Sequence, residues 1–190
     1  MKYKNGAIVQ QLTFPTNYLN LDEKRYLGIN AFYDDPLMSL TDDVSQKLSD
    51  EISFRKTDEN LYQQTFFISN QDLLRRYTAA CKEKNIPIRV LFVESDYEHE
   101  RWSGELPKMM FIGYEYCEIP FDNQIITDFD WYEPLSRFKK MLNRYGLFDT
   151  LQGVMDYKGK YDREFDAGNV GDGEFIAFIC KIYEVDIDNL

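Results

Sequence analysis

The sequence predicts an α+β fold built on a mostly antiparallel sheet, and three observations carry that expectation. Extended segments come in runs, helical segments are grouped, and the chain has no strict strand–helix alternation of the kind that builds a doubly wound parallel sheet. Two segments, 86–94 and 175–185, are apolar on both faces over much of their length, as interior strands are. The expected architecture is one domain spanning 1–190, with about five to six strands and three to four helices, among them a helical hairpin near 133–163.

The elements follow in order. Residues 3–15 form an opening strand through Ala7, Ile8 and Val9, stopped by Pro15, and 26–33 form a second, ended by the turn chemistry of Asp34-Asp35-Pro36. Thr41 caps a short helix with Asp42 and Asp43 in its first turn, and Val44, Leu48 and Ile52 recur on one face. A strand covers 61–68. Ser69 and Asp72 match a capping box that opens a helix over 70–84, with Leu73, Leu74, Tyr77 and Cys81 inward and Asn85 and Pro87 ending it. A strand over 86–94, a polar loop over 95–107 and a strand over 109–119 suggest a long hairpin of paired antiparallel strands. Pro134 suits a first helical position, Leu135, Phe138, Leu142 and Tyr145 keep helical spacing, and Gly146 stops that arm after residue 145. Asp149 with Gln152 starts the second arm, with Leu151, Val154 and Met155 inward, after a three-residue turn. The Gly-rich stretch 169–173 then feeds the last strand, 175–185.

Composition bounds the function. Hydrophobic residues are 44% and aromatic residues 16% of the 190, with 14 Tyr and 14 Phe, so the chain can bury a core and is not disordered. There are 33 acids against 22 bases, a formal net charge of −11. That balance disfavours nucleic acid and anionic membrane surfaces, which need Lys and Arg. It has two readings: solubility alone, or attraction to a basic protein partner. Cys81, Cys117 and Cys180 are odd in number and widely spaced, so buried free thiols are expected and not a disulfide framework or a metal knuckle. With no signal-like N-terminus and no long apolar run, the expected location is the cytoplasm.

No catalytic or metal constellation stands out. The single histidine, His99, sits among acids in Asp96-Tyr97-Glu98-His99-Glu100-Arg101-Trp102, but without a nucleophile motif it reads as a solvated loop residue. Asp128-Phe129-Asp130 could ligate a cation only with further oxygens, and no EF-hand loop surrounds the pair. Residues 168–173 lack the Lys-Ser/Thr ending of a phosphate loop and precede a strand. Two acidic, ring-bearing segments carry more weight. One is the loop 94–105, with Glu94, Asp96, Glu98, Glu100 and Glu105 around Trp102. The other is the interval between Lys108 and Arg137, which has no Lys or Arg and mixes Glu115, Glu118, Asp122, Asp128, Asp130 and Glu133 with Phe129 and Trp131. Acids among Trp and Tyr on loops suit a protein-binding surface, and the competing reading makes the rings core anchors. The expected partner-binding residues are Trp102, Glu118, Asp122, Asp128, Asp130 and Trp131.

Two short motifs carry a resemblance. Gly113-Tyr114-Glu115-Tyr116-Cys117 after an apolar strand, and Asn143-Arg144-Tyr145-Gly146-Leu147-Phe148 before a short capped helix, resemble segments of small bacterial immunity-type proteins over roughly 87–185. In those families the segments are mainly structural, so no functional residue transfers. The resemblance implies a cognate inhibitor of a toxin. The combined expectation is a non-enzymatic, cofactor-free acidic protein that neutralises a basic partner. The alternative is a small-molecule-binding or enzymatic domain with a tyrosine-lined pocket, and a third reading is a self-associating adaptor.

Overall fold

The structure is a computed structural model that describes residues 1–11, 47–48, 50–51, 54–56, 62–64, 67–118, 132–170 and 177–190. Its strands are β1 (Tyr3–Gln11), β2 (Phe54–Lys56), β3 (Tyr62–Gln64), β4 (Ile88–Ser95), β5 (Met109–Glu118) and β6 (Ala177–Val185). Its helices are α1 (Gln71–Glu83), α2 (Glu133–Ser136) and α3 (Leu151–Asp166), with 3-10 turns at Arg137–Met141 and Ile187–Asn189. Lys47, Leu48, Asp50 and Glu51 are also helical. The class is α+β with an antiparallel sheet, as the grouping of elements predicts. Among the described residues the main sheet has four strands, in the order β1-β4-β6-β5, and β2 and β3 form a separate two-stranded sheet. It is smaller than the five to six strands expected; the 26–33 strand lies outside the described residues. No helix among the described residues is long and apolar enough to cross a membrane.

The apolar run of β4 explains its place. Val90, Leu91, Phe92 and Val93 are all fully buried, which requires cover on both faces and a strand on both sides. On one side β1 pairs with it antiparallel, Ala7 opposite Phe92 and Val9 opposite Val90. Gln10 faces Arg89 in that register, and the Arg89 Nε donates to the Gln10 Oε1 at 2.8 Å, which satisfies part of a buried guanidinium. On the other side lies β6, so β4 and β5 are not the paired hairpin expected. Only short loops impose pairing on the strands they join, and the polar connection after Ser95 is long enough for another strand to intervene. The apolar β6 is interior, as expected.

Two compact units emerge from the contacts, one from the described residues within 2–110 and 183–190, the other from those within 111–182. In the first, α1 packs Leu73, Leu74, Tyr77 and Cys81 against Ala7, Val9, Val90 and Phe92, the inward face the periodicity predicts. Its cap is Asn70, not Ser69: the Asn70 Oδ1 accepts from the Leu73 amide at 2.9 Å, while the Ser69 carbonyl accepts from the Ser103 amide at 2.8 Å. At the other end Asn85 takes a φ of 56° and turns the chain out of the helix.

In the second unit, Pro134 sits in the first turn of α2 as expected, but the arm is one α-helical turn that continues as a 3-10 turn to Met141, not a helix to residue 145. Thr150, not Asp149, caps α3, its Oγ1 accepting from the Gly153 amide at 3.1 Å. The buried stripe is consequently Gly153, Val154, Tyr157 and Tyr161, and Leu151 and Met155 are 41% and 50% exposed where inward positions were expected. The tyrosines fill the core that Leu and Met were expected to fill: Tyr157 meets Phe138 edge-on at 5.4 Å and Tyr116 meets Tyr161 at 5.9 Å.

Candidate functional site

The acidic loop after β4 is held from below by buried polar groups. Asn5, fully buried on β1, donates its Nδ2 to the carbonyls of Tyr97 at 2.7 Å and Glu100 at 3.0 Å, and its Oδ1 accepts from the Ser95 hydroxyl at 2.7 Å. Glu100, only 3% exposed, turns inward, and its Oε2 accepts from the Phe67 amide at 3.0 Å. The Trp102 amide donates to the Lys4 carbonyl at 2.7 Å. A loop whose backbone is fixed at so many points keeps one shape before any partner arrives, which lowers the ordering cost of binding.

What the loop shows to solvent is mostly carboxylate. Asp96, Glu98 and Glu105 are exposed. Its only Arg or Lys, Arg101, lies over the Tyr3 ring at 4.4 Å, and no ion pair joins it to an acid among the described residues. His99 is exposed and edge-on to Tyr97 at 5.2 Å. Trp102 is half-buried, edge-on to Phe92 at 5.3 Å, with its indole N–H donating to the Glu105 carbonyl at 2.9 Å. The ring is therefore in part a core prop.

The second acidic interval is described only in part. Glu115 is fully buried on β5, so it contributes nothing to a surface. Glu118 is the last residue of β5. Asp122, Asp128, Asp130 and Trp131 lie outside the described residues, as does Phe129. Cys81, Cys117 and Cys180 are buried free thiols, as their apolar flanks predict, and Cys117 and Cys180 bring their Sγ atoms to 3.4 Å, a contact no sequence spacing announces. Among the described residues no cluster of three or more His, Cys, Asp or Glu could hold a metal ion. The most buried tyrosines, Tyr77, Tyr157 and Tyr161, belong to the two cores.

The two motifs singled out in the sequence interlock. Tyr114 and Phe148 exchange backbone hydrogen bonds at 2.8 and 2.9 Å. Asn143 donates its Nδ2 to the Ile112 carbonyl and to Asp149 Oδ1, both at 2.8 Å, and its Oδ1 accepts from the amides of Tyr145 and Leu147. Gly113 has a φ of 150°, and Gly146 turns the chain with a φ of 74°. The motifs are thus one structural latch.

The second unit also holds a polar network at the C-terminal end of α3. Glu164 accepts from Lys160, from the Tyr132 hydroxyl and from Asn169 Nδ2. Those three donors, Lys160 foremost, hold its carboxyl at about 2. The phenol of Tyr132 is shifted above its ordinary 10.0, chiefly because its O–H donates to Glu164. Glu164 stays ionised throughout the neutral range, so the network is an anchor and not a proton relay. The chain matches no family model, no curated protein and no solved structure.

Proposed function

We propose that this chain is a non-enzymatic, cytoplasmic acidic protein that binds a basic protein partner, in the manner of an immunity protein neutralising a basic toxin. One observation carries the reading: the loop after β4 is braced by Asn5, Glu100 and Trp102, while Asp96, Glu98 and Glu105 stand in solvent and the loop's sole Arg lies on a ring. A pre-shaped anionic surface favours fast, specific association with a cationic one. The formal net charge of −11 extends the attraction beyond the contact. Trp102, half-buried in the same loop, is proposed as the contact ring. Glu118, Asp122, Asp128, Asp130 and Trp131 are proposed as further contacts, and the resemblance of the latch motifs to immunity-type proteins supports the same class of partner.

The test is binding to the product of the neighbouring gene, measured at low and high salt for the wild type and for E98K/E105K. The expected result is a loss of affinity of about tenfold or more on charge reversal, mostly in the association rate, and a matching loss in high salt. An affinity indifferent to both would overturn the proposal.

A further inference from the structure

A cleft of about 690 Å³ opens along α1, on a face the core does not use. That volume falls in the range of about 300–1,000 Å³ that takes small organic ligands. One wall is a single helical stripe: Arg75, Thr78, Ala79 and Lys82 follow the i, i+3, i+4, i+7 spacing that puts side chains on one face. Ile187 and Asp188 of the C-terminal 3-10 turn and Ile88, at the start of β4, also line it.

The charges in this cleft are unusual for so acidic a chain. Arg76, one position along from the stripe, is bridged to Glu51 and Asp72. Arg75 and Lys82 are exposed, and neither has a carboxylate partner among the described residues. The lining places these two cations against one acidic side chain, Asp188. The two cations stand seven residues apart, about 10 Å along the helix axis at ~1.5 Å per residue. Thr78, Ala79, Ile88 and Ile187 also line the cleft, and Ile187 is 39% exposed. The Thr78 hydroxyl spends its proton on the Leu74 carbonyl at 3.0 Å and can still accept.

We propose that this cleft binds a small organic monoanion with an apolar body, of the class of a medium-chain carboxylate. The head pairs with Arg75 or Lys82, and the body lies along Ala79, Ile88 and Ile187, covering apolar surface that otherwise faces water. This site shares no residue with the acidic loop, so the two proposals stand or fall separately.

The test is a titration of the full chain, followed by amide chemical shifts, with octanoate, octan-1-ol and octylamine, three ligands that differ only in the head. Octanoate is expected to move the amides of Thr78, Ala79, Ile88 and Ile187 to saturation, and octanol to bind about tenfold more weakly or worse. Because both cations are exposed, R75E/K82E is expected to keep its fold, lose octanoate binding by a similar factor and take up octylammonium instead. Shifts that never saturate, equal binding of octanol, or unchanged octanoate affinity in the variant would each overturn the proposal.

Discussion

Gly113 and Leu147 touch where a side chain would not fit: a β-carbon on Gly113 would lie 2.6 Å from the Leu147 Cβ and 3.0 Å from the Phe148 carbonyl oxygen. With a φ of 150°, the position is closed to other residues twice over, by conformation and by contact. G113A is expected to destabilise the fold by about 2–4 kcal/mol, read from the urea midpoint.

Gly159 is the contrasting position. It lies inside α3, and an added β-carbon there meets nothing closer than the Arg163 Nη1 at 3.8 Å. G159A is expected to raise stability by about 0.5–1 kcal/mol, because alanine loses less backbone freedom in a helix. A lowered melting temperature for this variant would contradict the helical geometry assigned to α3.

Asn143 satisfies its amide on every side, donating to Ile112 and Asp149 and accepting from Tyr145 and Leu147. N143A is expected to cost about 2–3 kcal/mol, since it leaves several backbone groups of a tight turn without partners. N143D keeps the acceptor, loses the donor and sets a second carboxylate beside Asp149. It should recover only part of that loss, and less of it at neutral pH than in acid, as denaturant melts at the two pH values would show.

Glu164 sets an acid limit on the second unit. Its carboxyl is held at about 2 against an ordinary 4.5, so the stability it contributes is complete above the ordinary value and is lost as pH falls through the lowered one. The stability gap between wild type and E164Q should therefore be constant near neutrality and narrow between about pH 5 and pH 2. Urea midpoints across that range test it; a gap that does not change there would mean that the donors around Glu164 are not engaged.

Glu100 and its neighbours on the loop should behave oppositely. E100A leaves the buried Phe67 amide without its acceptor and is expected to cost about 1–3 kcal/mol. It should also speed hydrogen exchange at Tyr97 and Trp102. E98K and E105K alter exposed side chains and should stay within about 0.5 kcal/mol of wild type in thermal melts.

Much of this fold was legible because apolar periodicity reports burial directly. The inward face of α1 and the interior places of β4 and β6 all follow from it. What stayed hidden depended on partners far away in sequence. Nothing in 95–107 says that another strand enters between β4 and β5, because a long polar loop leaves pairing open. The caps slipped by one residue, from Ser69 to Asn70 and from Asp149 to Thr150, since neighbouring residues all have capping chemistry and only backbone geometry chooses between them. On α3 the ambiguity of tyrosine misled: Tyr157 and Tyr161 went inside, and Leu151 and Met155 outside. In the acidic loop the exposed carboxylates were readable from composition. The inward turn of Glu100 was not, because its partner amide is contributed by Phe67, 33 positions earlier.

The latch between Gly113 and Asn143 also bears on how this chain can change over generations. Most of its surface can drift with little penalty, but these two positions answer to backbone shape and tolerate almost no exchange. Distant kin are therefore expected to keep a glycine and an asparagine there, some 30 residues apart, after the rest of their alphabet has diverged beyond recognition.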